Sequence, residues 1–156
     1  MSEGILQAGF HIIYSNDINV DAATKGITSM GEHLKNAFKD EYYSIGTDCY
    51  ETEFLAYDSK SDSRREFEVK NKSQNSIAFL LNDLKVKDAW IDLHKVKENK
   101  ELNEVLSKKQ RMITIGDKFT SWYSCSNKFY TLNMEPCNAY DAIIFIDSVK
   151  PVNILK

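Results

Sequence analysis

Asp141-Ala-Ile-Ile-Phe-Ile-Asp147 is an unbroken apolar run closed at each end by a carboxylate. Side chains alternate across a strand, so five apolar residues in a row place hydrophobic groups on both faces and predict a strand buried on both sides. Working outward, Ala89-Trp-Ile-Asp-Leu93 and the β-branched Phe10-His-Ile-Ile-Tyr14 read as further strands. The latter ends in the polar string Ser15-Asn-Asp-Ile-Asn19, the pattern of a strand running out towards a ligand crevice. Helical periods lie between the strands. Ser29 and Glu32 have capping-box spacing ahead of Met30, Leu34, Ala37 and Phe38 on one face, and Ile77, Leu80, Leu81 and Leu84 repeat at i, i+3, i+4, i+7 within Asn75–Lys85. Glu101–Lys108 reads as a short helix with Leu102, Val105 and Leu106 inward, and Arg111–Ile115 as a strand. Tyr42–Tyr57 suggests one or two strands, with Glu66–Val69 returning as a hairpin partner across the polar loop Tyr57–Arg65. The expected architecture is an α/β layered fold: a largely parallel sheet flanked by helices, plus a β-hairpin.

The chain has 156 residues, 42% of them hydrophobic, with eight Phe, eight Tyr and two Trp, which suits one domain spanning residues 1–156 with a single core. Twenty Lys and Arg against 23 Asp and Glu leave a formal charge of −3, so there is no excess of positive charge for nucleic acid or for an anionic membrane surface. No apolar run approaches the roughly 18 residues of a transmembrane helix, and no charged-then-apolar leader opens the chain. Cys49, Cys125 and Cys137 form an odd set without a CxxC pair or a nearby His at ligand spacing. They read as plain thiols of a reducing, cytoplasmic compartment, with no metal and no cofactor expected.

No Walker loop, GxGxxG, GxSxG or HExxH motif occurs. His11 and His33 fall inside a predicted strand and helix, where packing or surface roles suffice, whereas His94 follows Asp92 at a strand end, where crevices form. Asp17, Asp48, Glu51, Glu53 and Asp92 stand near predicted strand ends. Singly each reads as a solvated carboxylate; a pair brought together would serve as acid and base. Trp122 and Tyr123 read first as core, and otherwise as an aromatic wall.

In order along the chain, Ser29-Met-Gly-Glu-His-Leu34, Asp40-Glu-Tyr-Tyr-Ser-Ile-Gly-Thr-Asp48, Tyr50-Glu51 with Phe54-Leu-Ala56, Trp90-Ile-Asp-Leu93 and Tyr140-Asp-Ala-Ile-Ile-Phe-Ile-Asp147 resemble the carboxyl-terminal half of the erythromycin esterase family, which includes proteins labelled as succinoglycan biosynthesis. The resemblance covers residues 10 to 151 and implies an erythromycin-esterase-like half-domain. It further implies hydrolysis of a macrolide or other ester by a histidine base beside acidic residues, much of that machinery belonging to an amino-terminal half. The family's His-Asn-x-His motif falls on Asn16-Asp17-Ile18-Asn19, so both histidines are asparagines here. An amide is too weakly basic to take a proton from water near neutral pH, and the site positions Asn16, Asp17 and Asn19 are therefore expected to be degenerate.

Asp92, His94 and Glu51 remain as ligand-binding candidates, with His94 standing where relatives commonly carry Arg. The leading expectation is a related domain inactive by itself, with a macrolide or other ester as its small molecule. One alternative is a binding or oligomerisation module whose apolar surface is covered by a second copy or by an amino-terminal half in another chain. Another is a hydrolase rebuilt from Asp17, Asp92 and His94, which requires those groups to converge.

Overall fold

The computed structural model describes residues 15–17, 19, 21 and 24–151, so the strand expected at Phe10–Tyr14, with His11, lies outside the described residues. Helix α1 (Met30–Phe38) begins where the Ser29 hydroxyl accepts the Glu32 N–H at 3.0 Å and donates to the Ser15 carbonyl at 2.6 Å. The Ser29 half of the capping box is thus formed; Glu32 Oε2 has no partner. The apolar face expected on this helix faces outward, with Met30 and Phe38 both more than half exposed.

Strand β1 (Ile45–Asp58) is one long strand, and a four-residue turn returns the chain as β2 (Ser63–Lys70), the expected hairpin. Helix α2 (Ile77–Asp83) buries Ile77 and Ala78 and packs Leu81 on the core, while Leu80 and Leu84 are exposed. Next come β3 (Asp88–Asp92), α3 (Leu93–Glu98), α4 (Lys100–Leu106) and β4 (Gln110–Ile113). After two 3-10 turns follow β5 (Thr131–Met134), the short α5 (Pro136–Ala139) and β6 (Ala142–Val149). In α4 only Leu106 is buried, which corrects the expectation for Leu102 and Val105: this two-turn helix meets α3 and α5 at one end and leaves its middle in solvent. Trp122 is likewise a surface residue, its ring tilted against that of Phe129 at 4.6 Å between centroids.

The layered α/β architecture with a hairpin is as expected, but strand direction differs. Among the described residues the main sheet has order β2-β1-β6-β3, and only β1 and β6 run parallel; β1–β2 and β3–β6 are antiparallel. A short turn forces the hairpin to be antiparallel, and β6 starts beside the end of β3, where the Leu93 N–H bonds the Asp141 carbonyl at 3.0 Å. The apolar run expected to be buried on both faces is buried on one: Ile143 and Phe145 lie in the core, whereas Ile144 and Ile146, on the other face, are only half-buried because no helix covers that side among the described residues. The strand expected at Arg111–Ile115 belongs to a separate two-stranded sheet, β4–β5.

Register assigns the faces. Trp90 opposite Ile144, and Ile144 opposite Thr47, put Ile45, Thr47, Cys49, Ile144, Ile146 and Trp90 on one side; Gly46, Asp48, Ile143, Phe145 and Ile91 take the other. The second side carries the core. Ile77, Leu93, Val96, Met112, Met134 and Ile143 form one cluster, and a more aromatic one gathers Phe67, Phe119 and Tyr130, with Phe54 edge-on to Phe119 at 5.0 Å. Gly46 lets the Tyr140 ring lie against the strand: a Cβ there would come within 2.8 Å of two ring carbons. Among the described residues no helix is long and apolar enough to cross a membrane.

Candidate functional site

The carboxylate that opens β6 gathers the side chains. Asp141 is only 5% exposed, held on the main chain by its own N–H to the Ser44 carbonyl at 2.8 Å. Its Oδ2 accepts the Ser44 N–H at 2.8 Å and the Asn16 Nδ2 amide at 3.3 Å; Oδ1 is 3.0 Å from Lys35 Nζ and 3.2 Å from His94 Nε2. These groups come from the polar segment before α1, from α1 itself, from the start of β1 and from the first turn of α3. Burial opposes the Asp141 charge, but the Ser44 N–H, Lys35 and Asn16 bonds outweigh it and hold the carboxyl below its usual range. Lys35 also donates to the Tyr42 carbonyl at 3.2 Å, and the Tyr43 ring lies 6.1 Å from that of His94. The Tyr43 phenol is pushed up by partial desolvation and then by the Asp92 and Asp141 charges.

Of the residues singled out from sequence, Asn16 and His94 meet here, on opposite oxygens of one carboxylate. Asn16 is anchored by its N–H to the Ala139 carbonyl at 2.7 Å, and its Oδ1 is buried with no partner. Asp92 stands beside the cluster in register with Ala142, but its carboxylate caps α3 by accepting the His94 and Lys95 N–H groups at 3.0 and 3.2 Å. Asp17 accepts the N–H of Asn19 at 2.8 Å, and Asn19 Oδ1 accepts that of Gly26 at 2.8 Å, so these two fasten their own loop. Asp17, Asp92 and His94 therefore each bond a different group. Glu51 lies apart, on the β1–β2 hairpin, paired with Lys70 at 2.9 Å. Glu53 faces Glu68 across the same hairpin, and His33 is exposed on α1.

Asp141 itself went unmarked in the sequence except as the boundary of an apolar run. The signal available was the carboxylate directly preceding a buried strand, where strand ends line a crevice. Chemically the cluster presents an ammonium, an imidazole aligned by a carboxylate and an amide with a spare acceptor. Among the described residues no group of three or more His, Cys, Asp or Glu side chains is placed to hold a metal ion, and the three cysteines are free thiols.

A layered α/β fold with polar residues gathered at the strand ends defines a class of small-molecule sites rather than one chemistry. The chain belongs to the erythromycin esterase family, whose profile matches residues 10–149. Among solved structures it is similar to a protein from Bacillus cereus, with a TM-score of 0.75 at 19% identity over 94% of this chain and 34% of that one. It is also similar to a succinoglycan biosynthesis protein, with a TM-score of 0.73 at 16% identity over 93% of this chain and 33% of the other. At that identity the likeness establishes a shared fold, and the chain spans about a third of the length of each. No curated protein matches the sequence significantly.

Proposed function

We propose that this chain is an erythromycin-esterase-like domain that retains a polar binding corner for a macrolide or other ester and has no hydrolytic turnover by itself. The observation that carries this reading is the use made of Asn16. At the first position of the histidine motif it offers a neutral amide, donates one side-chain N–H to Asp141 and leaves Oδ1 to accept a bond from a ligand. Asn19, at the second position, is turned to Gly26 and Ile27. Acid–base assistance is typically worth about 10²- to 10⁴-fold in rate, and neither amide supplies it. Asp92 and His94 flank the corner as ligand-orienting groups, while Glu51 is too far along the hairpin to join them.

Incubation of the purified chain with erythromycin and with simple esters, followed by mass spectrometry, tests the proposal. No ring-opened or hydrolysed product above the buffer rate is expected, and restoring His at positions 16 and 19 is expected not to suffice without the amino-terminal half. Turnover that scales with protein and disappears in His94→Ala would show that the imidazole held by Asp141 acts as a base and would overturn the reading.

The outward sheet face favours a second role, as an assembly or binding module. Trp90 is 56% exposed and Ile45 46%, and both lie on the same face as Ile144 and Ile146. A contiguous apolar face of this kind is commonly covered by protein. We assign it to contact with another polypeptide, a second copy or a chain carrying the amino-terminal half. Light scattering at high micromolar concentration is expected to show association that Trp90→Lys weakens; a monomer throughout excludes self-association.

A further inference from the structure

Away from the Asp141 corner, a cleft of about 570 Å³ opens beside β1 where β6 ends. Its size falls within the range of small-molecule sites. Its walls are mostly apolar, with Phe54 and Leu55 on β1, Ile113 and Ile115 opposite and Val149 at the end of β6, and Asp48 is set among them. Asp48 is 3% exposed. Its Oδ1 takes two main-chain donors, Cys49 N–H at 3.0 Å and Ile113 N–H at 3.1 Å, and the second bond ties β1 to β4. Its Oδ2 is buried with no hydrogen-bond partner, and among the described residues no cation pairs with this carboxylate.

An asparagine would satisfy the same two N–H groups through its own Oδ1 without burying a charge, so the structural task does not require an acid. What the acid adds is a second acceptor oxygen and a negative charge, both uncompensated in a low-dielectric wall. A neutral hydroxyl would meet the first need only. An ammonium would meet both, through a charge-assisted bond about twice as strong as a neutral one. The surrounding Phe, Leu, Ile and Val side chains accept an apolar body and exclude a hydrated one.

We propose that the Asp48 cleft is a binding site for a small apolar ammonium compound, its cationic head on Asp48 Oδ2 and its alkyl or aryl body between β1 and Ile115. Burial pushes the Asp48 carboxyl up to about 7, so a cation bound there displaces a proton near neutral pH. The other titratable groups coupled to Asp48 are the Cys49 thiol, next along the strand, and the Tyr140 phenol beneath it, both held by burial in their neutral forms. Asp117, on the far wall, is ion-paired with Arg64.

Calorimetric titration of the purified chain at about pH 8 with benzylamine, benzyl alcohol and benzoate distinguishes the chemistry. Benzylammonium is expected to bind about ten-fold or more tightly than the alcohol, benzoate not to bind, and, when the amine titration is repeated at about pH 6.5 in buffers of different ionisation enthalpy, proton release to appear. The affinity for benzylammonium is expected to fall as pH drops below about 7, where Asp48 takes up its proton. Asp48→Asn is expected to abolish the preference for the cation. Should that variant fail to fold, Leu55→Trp, which fills the cleft from a half-exposed position, is expected to weaken benzylammonium and benzyl alcohol alike. Equal binding of amine and alcohol, no binding of the amine, an affinity flat with pH, or an unaltered preference in Asp48→Asn each overturns the proposal.

Discussion

Asp141 and Asp48 are two carboxylates in adjoining parts of one sheet, 5% and 3% exposed, and the fold treats them in opposite ways. Asp141 lies where four chain segments meet, and both of its oxygens are engaged by donors, two of them on basic side chains. Asp48 projects from the first third of β1 into an apolar wall and has two neutral N–H donors crowded on one oxygen. Depth alone therefore does not set the state of a buried acid. Donor count and the presence of a countercharge decide whether burial raises or lowers its proton affinity. The first carboxylate organises structure at neutral pH, and the second costs stability there.

The largest effect expected from breaking this contrast is at Asp141. Asp141→Ala removes the acceptor shared by Ser44, Asn16, Lys35 and His94, and should destabilise the chain by roughly 3 kcal/mol in urea denaturation; Lys35 is one-third exposed, so solvent screens its share. Because the folded carboxyl is held below its unfolded value near 4, its contribution is present at neutral pH and is lost as pH falls through the lower folded value.

At Asp48 the sign reverses. The folded group is raised from 3.8 to about 7, so its contribution to stability is full below pH 3.8 and is lost as pH rises through that window. Asp48→Asn should then stabilise the chain by about 2 kcal/mol at neutral pH and above, with the gain fading as pH is lowered towards 4. Thermal melts of both proteins across this range check it, and a constant difference at every pH would contradict the assignment.

Gly46→Ala sharpens the comparison because Gly46 sits against Tyr140, the residue next to Asp141 whose phenol is also coupled to Asp48. Forcing a methyl against that buried ring should cost about 1–2 kcal/mol, measured by the denaturation midpoint. The smallest expected effect is that of His94→Ala, under about 0.5 kcal/mol in the same measurement, since the imidazole is 59% exposed and Asp141 keeps three other donors.

Local patterns made much of this architecture legible. The Ser29 cap, the hairpin around Tyr57–Arg65 and the existence of a strand at residues 142–146 each follow from spacing within a few neighbours. Strand direction was not legible, because an apolar run reports burial and not orientation. The Asp141 corner was legible only in fragments. Asn16 and His94 stood out at polar strand ends, yet the residue that joins them bonds partners 97, 106 and 125 positions away, a relation no periodicity carries. Asp48 was visible as a carboxylate near a strand end; that it would be buried with an idle oxygen depends on where β4 docks.

The exposed sheet face has an optical consequence. Both tryptophans stand in water, Trp90 on that face at 56% and Trp122 on the aromatic patch around Phe129 at 60%. The native protein should therefore already emit at the long wavelengths usual for a hydrated indole, and unfolding should shift the spectrum little. Any protein that covers Ile45 and Ile144 also dries the Trp90 ring, so in a Trp122→Phe background a move of the emission to shorter wavelength would report occupancy of the sheet directly, without a label.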